Sequence, residues 1–158
     1  MGLKKVAFFL IFLSCTSLFS CQDNNAVVDV NQAIINRTWS YVNKIRVPVT
    51  ITDKAAAYNV LINLRHTGDY KYSNIFMLIH AKGPGGKVVT ERKEFKLAYP
   101  DGQWLGKGSA NLYSYQLSFK SDYHFPENGT YFFEIEQNMR DNPLKEITDV
   151  GLRVEKSN

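Results

Sequence analysis

The chain has 158 residues, 44% hydrophobic and 13% aromatic, which is enough for one domain with a bulky core. Its formal net charge of +4 comes from basic and acidic residues that are interspersed along the chain, with no long basic run. This mild balance excludes the strongly basic class of nucleic-acid-binding proteins, and we expect no nucleic acid among the partners.

Residues 1–20 predict export from the cytoplasm. Lys4 and Lys5 form a short basic start, and an unbroken apolar run follows from Val6 to Leu13. A basic start followed by such a run is typical of a secretory signal peptide. The run is shorter than the roughly 20 apolar residues that a membrane-spanning helix needs. We therefore predict a signal peptide at residues 1–20 that is removed from the mature protein.

The end of this segment predicts a lipid anchor. Leu18-Phe19-Ser20-Cys21 resembles the lipobox of bacterial lipoproteins, in which an aliphatic residue, a variable position and a small residue precede the lipid-bearing cysteine. Phe19 is bulkier than usual at its position, and Cys15 offers a competing site that would shorten the apolar run. An ordinary signal peptide or an uncleaved anchor is the alternative. Lipid on Cys21 leaves no thiol for a disulfide, so stability must come from the core.

Residues 21–36 are mostly polar and predict a lipidated, flexible tether. From Arg37 onward the pattern changes, because short apolar stretches alternate with turn signals and no stretch keeps a helical period. Gly83-Pro84-Gly85-Gly86 separates two such stretches and predicts a hairpin. Residues 139–147, which contain Pro143, predict a loop with one helical turn. We predict a single domain over residues 37–158.

The strands of this domain are predicted from alternation of apolar and polar residues. The clearest places Tyr58, Val60, Ile62 and Leu64 on one face. Pro48 favours an edge position for its strand, because proline cannot donate to a sheet ladder. The count is about eight strands, typical of an all-β antiparallel sandwich of the jelly-roll or immunoglobulin-like kind. Seven of these strands are placed at 45–52, 58–64, 72–81, 87–97, 112–119, 130–137 and 150–155.

The histidines do not form a recognisable metal motif. His66, His80 and His124 lack the helical i, i+4 spacing of a zinc motif, and no thiol is available to join them. His66 with Asp69, or His124 with Asp122, is the alternative pair of ligands. We predict no metal site and no cofactor.

No catalytic motif stands out either. The chain has no Gly-x-Ser-x-Gly nucleophile elbow. Gly106-Lys107-Gly108-Ser109 lacks the preceding glycine and the following helix of a phosphate-binding loop. We predict that the protein is not an enzyme; a small hydrolase that uses Asp and His groups is the least favoured hypothesis.

Two segments have the composition of recognition loops, since each combines glycine with aromatic residues and a charge pair. We name them loop A, residues 67–74, and loop B, residues 99–108. The alternative interpretation is a tightly packed loop in which Trp104 plugs the edge of the core. The candidate partner-binding residues are Asp69, Tyr70, Tyr72, Asp101, Trp104 and Lys107.

Four blocks of sequence carry a family resemblance, and the lipobox precedes them. Residues 63–74 (NLRHTGDYKYSN) and 100–108 (PDGQWLGKG) resemble the gliding-motility lipoprotein GldH family of Bacteroidetes-type bacteria. Residues 129–140 (GTYFFEIEQNMR) and 149–155 (DVGLRVE) resemble it further, in the order of the family. The resemblance implies a non-enzymatic role in surface gliding and in the linked type IX protein secretion machinery of the outer membrane. Only the lipid-bearing position transfers, onto Cys21.

The sequence therefore leaves two main hypotheses. The first is a lipid-anchored accessory protein of the cell envelope that contacts other envelope lipoproteins. Asp23, close behind Cys21, favours the outer membrane. The second is a carbohydrate- or peptidoglycan-binding module whose platform is Trp104, Tyr70 and Tyr72. Exposure of Trp104 discriminates between them, because a buried ring cannot stack on a sugar.

Overall fold

A computed structural model describes residues 25–157 of the chain, so the predicted signal peptide and Cys21 lie outside the described residues. The described part contains eleven strands and one 3-10 turn, Ile35–Arg37. No helix in this part is long and apolar enough to cross a membrane. The strands are β1 Ala26–Ala33, β2 Thr38–Trp39, β3 Ile45–Ile51, β4 Tyr58–Thr67, β5 Asn74–Lys82, β6 Val88–Lys96, β7 Lys107–Ser109, β8 Leu112–Tyr123, β9 Gly129–Gln137, β10 Leu144–Lys145 and β11 Ile147–Lys156.

The strands form two main antiparallel sheets, in the orders β1-β11-β4-β8-β7 and β3-β9-β5-β6, and β2 pairs with β10. Eight strands have seven or more residues. Taken in chain order, these eight lie in the sheets as first-eighth-third-sixth and second-seventh-fourth-fifth. This is the jelly-roll arrangement of two Greek keys. The predicted all-β antiparallel sandwich is confirmed, and of its two variants the structure has the jelly roll.

One hydrophobic core fills the space between the two sheets. In β3, Ile45, Val47, Val49 and Ile51 are all buried, whereas the alternate residues are exposed. The same alternation in β4, β5, β9 and β11 directs apolar side chains into a single cluster. Pro48 lies in β3, at the edge of the four-stranded sheet, as predicted.

The other edge of the four-stranded sheet, β6, carries charge on its inner face. The predicted hairpin is confirmed, since Gly86 adopts φ +81° in the turn between β5 and β6. Glu91 lies opposite the buried Ile79, and its carboxylate is 2.7 Å from the Lys120 ammonium on β8. An inward charge at an edge strand opposes pairing with another chain. Here an ion pair joins the edges of the two sheets.

The tether prediction is wrong for residues 26–33. These residues form β1, an edge strand that pairs antiparallel with β11 from Ala26 opposite Glu155 to Ala33 opposite Asp149. The segment resembles a tether because most of its side chains are exposed, but its backbone extends the sheet and Val28 packs on the core. The predicted loop at 139–147 also differs, since it contains β10 in place of a helical turn.

Candidate functional site

Loops A and B are far apart in sequence but adjacent in the structure. The Ser73 carbonyl of loop A accepts hydrogen bonds from the amides of Leu97 and Ala98, at 2.8 and 3.1 Å, just before loop B. At its other end, loop A is held by the Gly68 amide, which donates to the Asn111 carbonyl at 3.0 Å. These backbone hydrogen bonds tie both ends of loop A to neighbouring segments of the chain.

His66, the penultimate residue of β4, lies at the centre of this assembly and is 0% exposed. Four aromatic rings surround its imidazole at centroid distances between 4.5 and 5.8 Å. Its Nδ1 lies 2.7 Å from the Thr67 carbonyl, which can only accept, so Nδ1 carries a proton. Burial lowers the pKa of His66, which keeps the ring neutral near pH 7. The surrounding rings are those of Tyr70, Trp104, Tyr113 and Tyr115.

The Tyr115 hydroxyl connects His66 to the chain on both sides of loop B. It lies 2.8 Å from the Leu97 carbonyl and 3.1 Å from His66 Nε2. Burial raises the pKa of Tyr115 to about 12, and the backbone N–H of Gly106 acts in the opposite direction. A Cβ at Gly106 would lie 2.5 Å from the tyrosine ring, so only glycine permits this approach. His66 and Tyr115 therefore fix the position of loop B.

Two of the predicted contact residues belong to this packed cluster. Tyr70 is 4% exposed, and its hydroxyl donates to the Asn74 carbonyl at 3.1 Å. Trp104 is half-buried, with its ring edge-on to His66 at 4.5 Å. The expectation of partner contact does not fit Tyr70, because its ring fills the core. A sugar platform of Tyr70, Tyr72 and Trp104 therefore lacks an accessible central ring, and the packed-loop interpretation fits better.

Asp69 and Tyr72 line an open cleft between loop A and residues 140–146, with a volume of about 690 Å³. Lys71 spans this cleft, since its ammonium lies 3.2 Å from the Asp141 carboxylate. Hydrogen bonding to Tyr72 and Lys71 lowers the pKa of Asp141. Thr67 donates to the Glu146 carboxylate at 2.7 Å and joins the two walls at the base. Charged side chains therefore lie on both walls of this cleft.

The last two predicted residues lie apart from this cleft. Asp101 is exposed in loop B, where its carboxylate accepts the Gln103 amide at 3.0 Å. Lys107 begins β7 and lines a groove on the outer face of the five-stranded sheet. The structure thus brings together Asp69, Tyr70, Tyr72 and Trp104, but not Asp101 or Lys107.

Sequence reasoning missed the residues that organise the site. From the sequence, His66 is expected to be a surface or edge histidine, with a metal-ligand pair as the alternative, and Tyr115 is expected only as a strand residue. The apolar alternation that places His66 on the inner face of β4 was a usable signal, since a histidine in such a position is usually buried and hydrogen-bonded. Nothing in the sequence placed residues 140–146 beside loop A.

The other two histidines lie in different places. His80 is on β5, where its Nδ1 is 2.9 Å from the Thr90 hydroxyl, and His124 is exposed after β8. Within residues 25–157, no three His, Cys, Asp or Glu side chains are grouped so that they could hold a metal ion.

The structure defines a small jelly-roll domain whose notable surface is a set of loops, held by buried aromatic packing, at one end of the sandwich. The sequence profile described as GldH lipoprotein matches residues 26–154, so the chain belongs to the GldH lipoprotein family. It is 35% identical to a protein of Christiangramia forsetii named "Gliding motility lipoprotein GldH homolog", over 93% of this chain and 94% of that protein. It is 29% identical to "Gliding motility lipoprotein GldH" of Flavobacterium johnsoniae, over 92% and 94%. No solved structure matches.

Proposed function

We propose that this protein is a lipid-anchored accessory protein of the cell envelope that supports gliding motility and the linked type IX secretion machinery through protein contacts. The observation that carries the proposal is the similarity to two proteins named for gliding motility, which extends over 94% of each of them. Shared sequence over the whole domain supports a shared role better than a match to one motif would.

The proposed anchor holds the domain close to the membrane. Only residues 22–25 separate the lipid-bearing position Cys21 from β1, which starts at Ala26. Five residue steps of fully extended chain span at most about 17 Å. A domain on so short a connection cannot explore a wide volume, so we expect its partners in the same membrane or directly against it. We propose the outer membrane, and other envelope lipoproteins of the gliding and secretion machinery as partners.

The directions of the strands indicate where the loops lie relative to the proposed anchor. β1 and β4 are both antiparallel to β11, so they run parallel to each other and begin at the same end of the sheet. Loop A follows the far end of β4, and loop B is bonded to loop A. The ten residues of β4 span about 33 Å. The anchor and the candidate surface therefore lie at opposite ends of the sandwich, which leaves the loops free to meet a partner.

The accessible part of the candidate surface is charged. Asp69 and Lys71 are exposed and Tyr72 is partly exposed at the loop A cleft, whereas Asp101 and Lys107 are exposed on loop B, apart from that cleft. Exposed charged groups of both signs are suited to steering and selecting a partner protein more than to tight apolar burial. A rigid scaffold below them keeps the positions fixed before the partner arrives, which lowers the entropy cost of association.

Site-specific photo-crosslinking in the native organism tests this proposal. A photoreactive amino acid replaces Asp69 in one strain and Lys54 in another. Lys54 is a matched control because it is also exposed but lies before β4, at the anchored end. We expect a covalent adduct with an envelope lipoprotein from position 69 and not from position 54. A deletion strain should lose spreading and should accumulate less secreted protein in the medium.

Two results would contradict the proposal. Normal spreading and normal secretion in the deletion strain would remove the role. Adducts from Lys54 but from none of Asp69, Asp101 and Lys107 would be compatible with the role in gliding, but they would show that the partner binds at the anchored end of the domain.

A further inference from the structure

A second surface lies away from loop A and faces outward from the middle of the five-stranded sheet. It is a groove of about 520 Å³ over β1, β11, β4 and β8, with Leu105 and Lys107 at one side. Register places four residues in one row across it: Asn31 opposite Gly151, Gly151 opposite Asn63, and Asn63 opposite Gln116. Three carboxamides therefore share one line perpendicular to the strands.

The glycine in this row allows β1 to pack closely on β11. A Cβ at Gly151 would lie 1.9 Å from the Val30 carbonyl oxygen of β1, so no other residue fits there. Because neighbouring strands are about 4.8 Å apart, Asn63 and Gln116 are adjacent while Asn31 lies about 10 Å from Asn63. The backbone of β1 occupies the space beside Gly151, so the row contains two adjacent amides and a third amide two strands away.

Asn63 is the buried member of the row, at 7% exposed. Its Nδ2 donates to the Asp29 carboxylate at 2.8 Å, which fixes the orientation of the amide. Its Oδ1 is buried and accepts no hydrogen bond from any residue in the range 25–157. A buried acceptor without a partner is costly, by about 1–3 kcal/mol, so such an atom calls for a donor from outside the chain.

Most charges of the groove are paired, whereas Lys107 at its side makes no ion pair within residues 25–157. The Arg65 guanidinium lies 3.6 Å from the Asp149 carboxylate, and the Asp29 carboxylate lies 2.7 Å from the Arg153 guanidinium. In contrast, the side chains of Asn31 and Gln116 make no hydrogen bond within the part of the chain that the structure describes. The groups left to engage a ligand are therefore mainly neutral amides, each of which offers both donors and an acceptor.

We propose that this groove binds a neutral glycan. A sugar presents hydroxyl groups that donate and accept at closely spaced positions, which matches a row of carboxamides. Asn63 Oδ1 has less than 1 Å² of accessible area, so a side-chain movement must uncover it before a hydroxyl can donate to it. Leu105 offers an apolar contact for the face of a sugar ring. An extended peptide fits less well, because the groove lies on the face of the sheet, and a peptide that adds as a strand needs a free backbone edge. This site adjoins loop B, which contributes Leu105 and Lys107, but it lies on the face of the sheet and away from loop A.

A glycan array, followed by titration, tests the assignment. The full-length protein, purified in detergent, is applied to printed neutral and acidic oligosaccharides, and the affinity for the best neutral oligosaccharide is then measured. The double variant Asn31→Ala with Gln116→Ala should bind at least ten-fold more weakly. Both side chains are exposed and unbonded among the described residues, so the fold is retained. Gln103→Ala, which removes an exposed amide from loop B, is the matched control and should bind normally.

A second measurement reports on individual side chains of the groove. The side-chain amide signals of Asn63 and Gln116 in a ¹⁵N-labelled sample should shift on addition of the same oligosaccharide. The proposal is overturned if no neutral oligosaccharide binds, if only acidic ones bind, or if the double variant binds as well as the unmodified protein. It is also overturned if Tyr72→Ala weakens binding as much as the double variant, because the sugar would then lie at the loops.

Discussion

Replacing Tyr115 with phenylalanine should loosen loop B and destabilise the whole domain. The change deletes one oxygen atom and keeps the ring that packs against His66 at 5.3 Å. What is lost is the hydroxyl that joins the Leu97 carbonyl to His66 Nε2. Tyr115 is 9% exposed, so water reaches the vacated position poorly.

The size of the effect follows from the partners that remain. The Leu97 carbonyl keeps the Leu105 amide as a donor at 2.8 Å, so its loss is that of one ordinary hydrogen bond, about 1 kcal/mol. The one proton of the Tyr115 hydroxyl cannot be donated to the Leu97 carbonyl and to His66 Nε2 at the same time, so the change removes one donated hydrogen bond and not two. The free energy of unfolding should therefore fall by about 1–2 kcal/mol, which for a domain of this size lowers Tm by roughly 5 °C.

Urea denaturation followed by circular dichroism measures this difference, and thermal unfolding checks it. Tyr113→Phe is the matched control. It removes the same atom from a ring 5.8 Å from His66, and the Tyr113 hydroxyl makes no hydrogen bond within residues 25–157. We expect a change below about 0.5 kcal/mol for the control. Equal losses in the two variants, or no loss in Tyr115→Phe, would refute the role of this hydroxyl.

Three further predictions concern other parts of the molecule. Cys21→Ser should abolish labelling by a fatty-acid analogue and release the protein from membranes, since stable attachment needs acyl chains; unchanged membrane labelling would refute the anchor. Burial lowers the pKa of His66 below its ordinary value of 6.5, so the unfolded chain takes up a proton before the folded protein does as the pH falls. The free energy of unfolding should therefore decrease below about pH 6.5, until the pH reaches the lower pKa of the folded state. His66→Phe should flatten that part of a plot of unfolding free energy against pH. Gly151→Ala should lower the free energy of unfolding by about 3 kcal/mol or more, because the added methyl clashes with the Val30 carbonyl, and amide exchange in β1 should become faster. Gly86→Ala is the control, since open space surrounds the added methyl and only the strain of the positive φ remains.

The strands that the sequence predicts well are those with one buried and one solvated face. In β3, the alternation of Ile45, Val47, Val49 and Ile51 with exposed residues is complete, so the period of two is visible without any tertiary information. The second half of β1 has no buried side chain, and its place in the sheet depends on backbone pairing with β11, more than 110 residues away. Periodicity cannot detect such a strand.

The candidate site was predictable in composition but not in arrangement. Loops A and B were identified because glycine, aromatic and charged residues coincide in each. Which of their rings are exposed depends on long-range contacts, such as that between His66 and Tyr115, which are 49 residues apart. Tyr70 and Tyr72 lie in the same loop, but Tyr70 is buried in the core and Tyr72 is partly exposed. The sequence alone does not distinguish the two tyrosines.

The pairing of the first strand with the last has a mechanical consequence. A pull between the lipid on Cys21 and a partner on loop A would act along the axis of β1 and load its seven pairings with β11 in shear, all at the same time. Peeling the strand away would break the same pairings one by one and would need less force. Resistance to such a load is set by the rate of forced unfolding rather than by equilibrium stability. Under the proposed function, a load between anchor and partner would therefore act on β1 in the direction in which its pairings with β11 resist together.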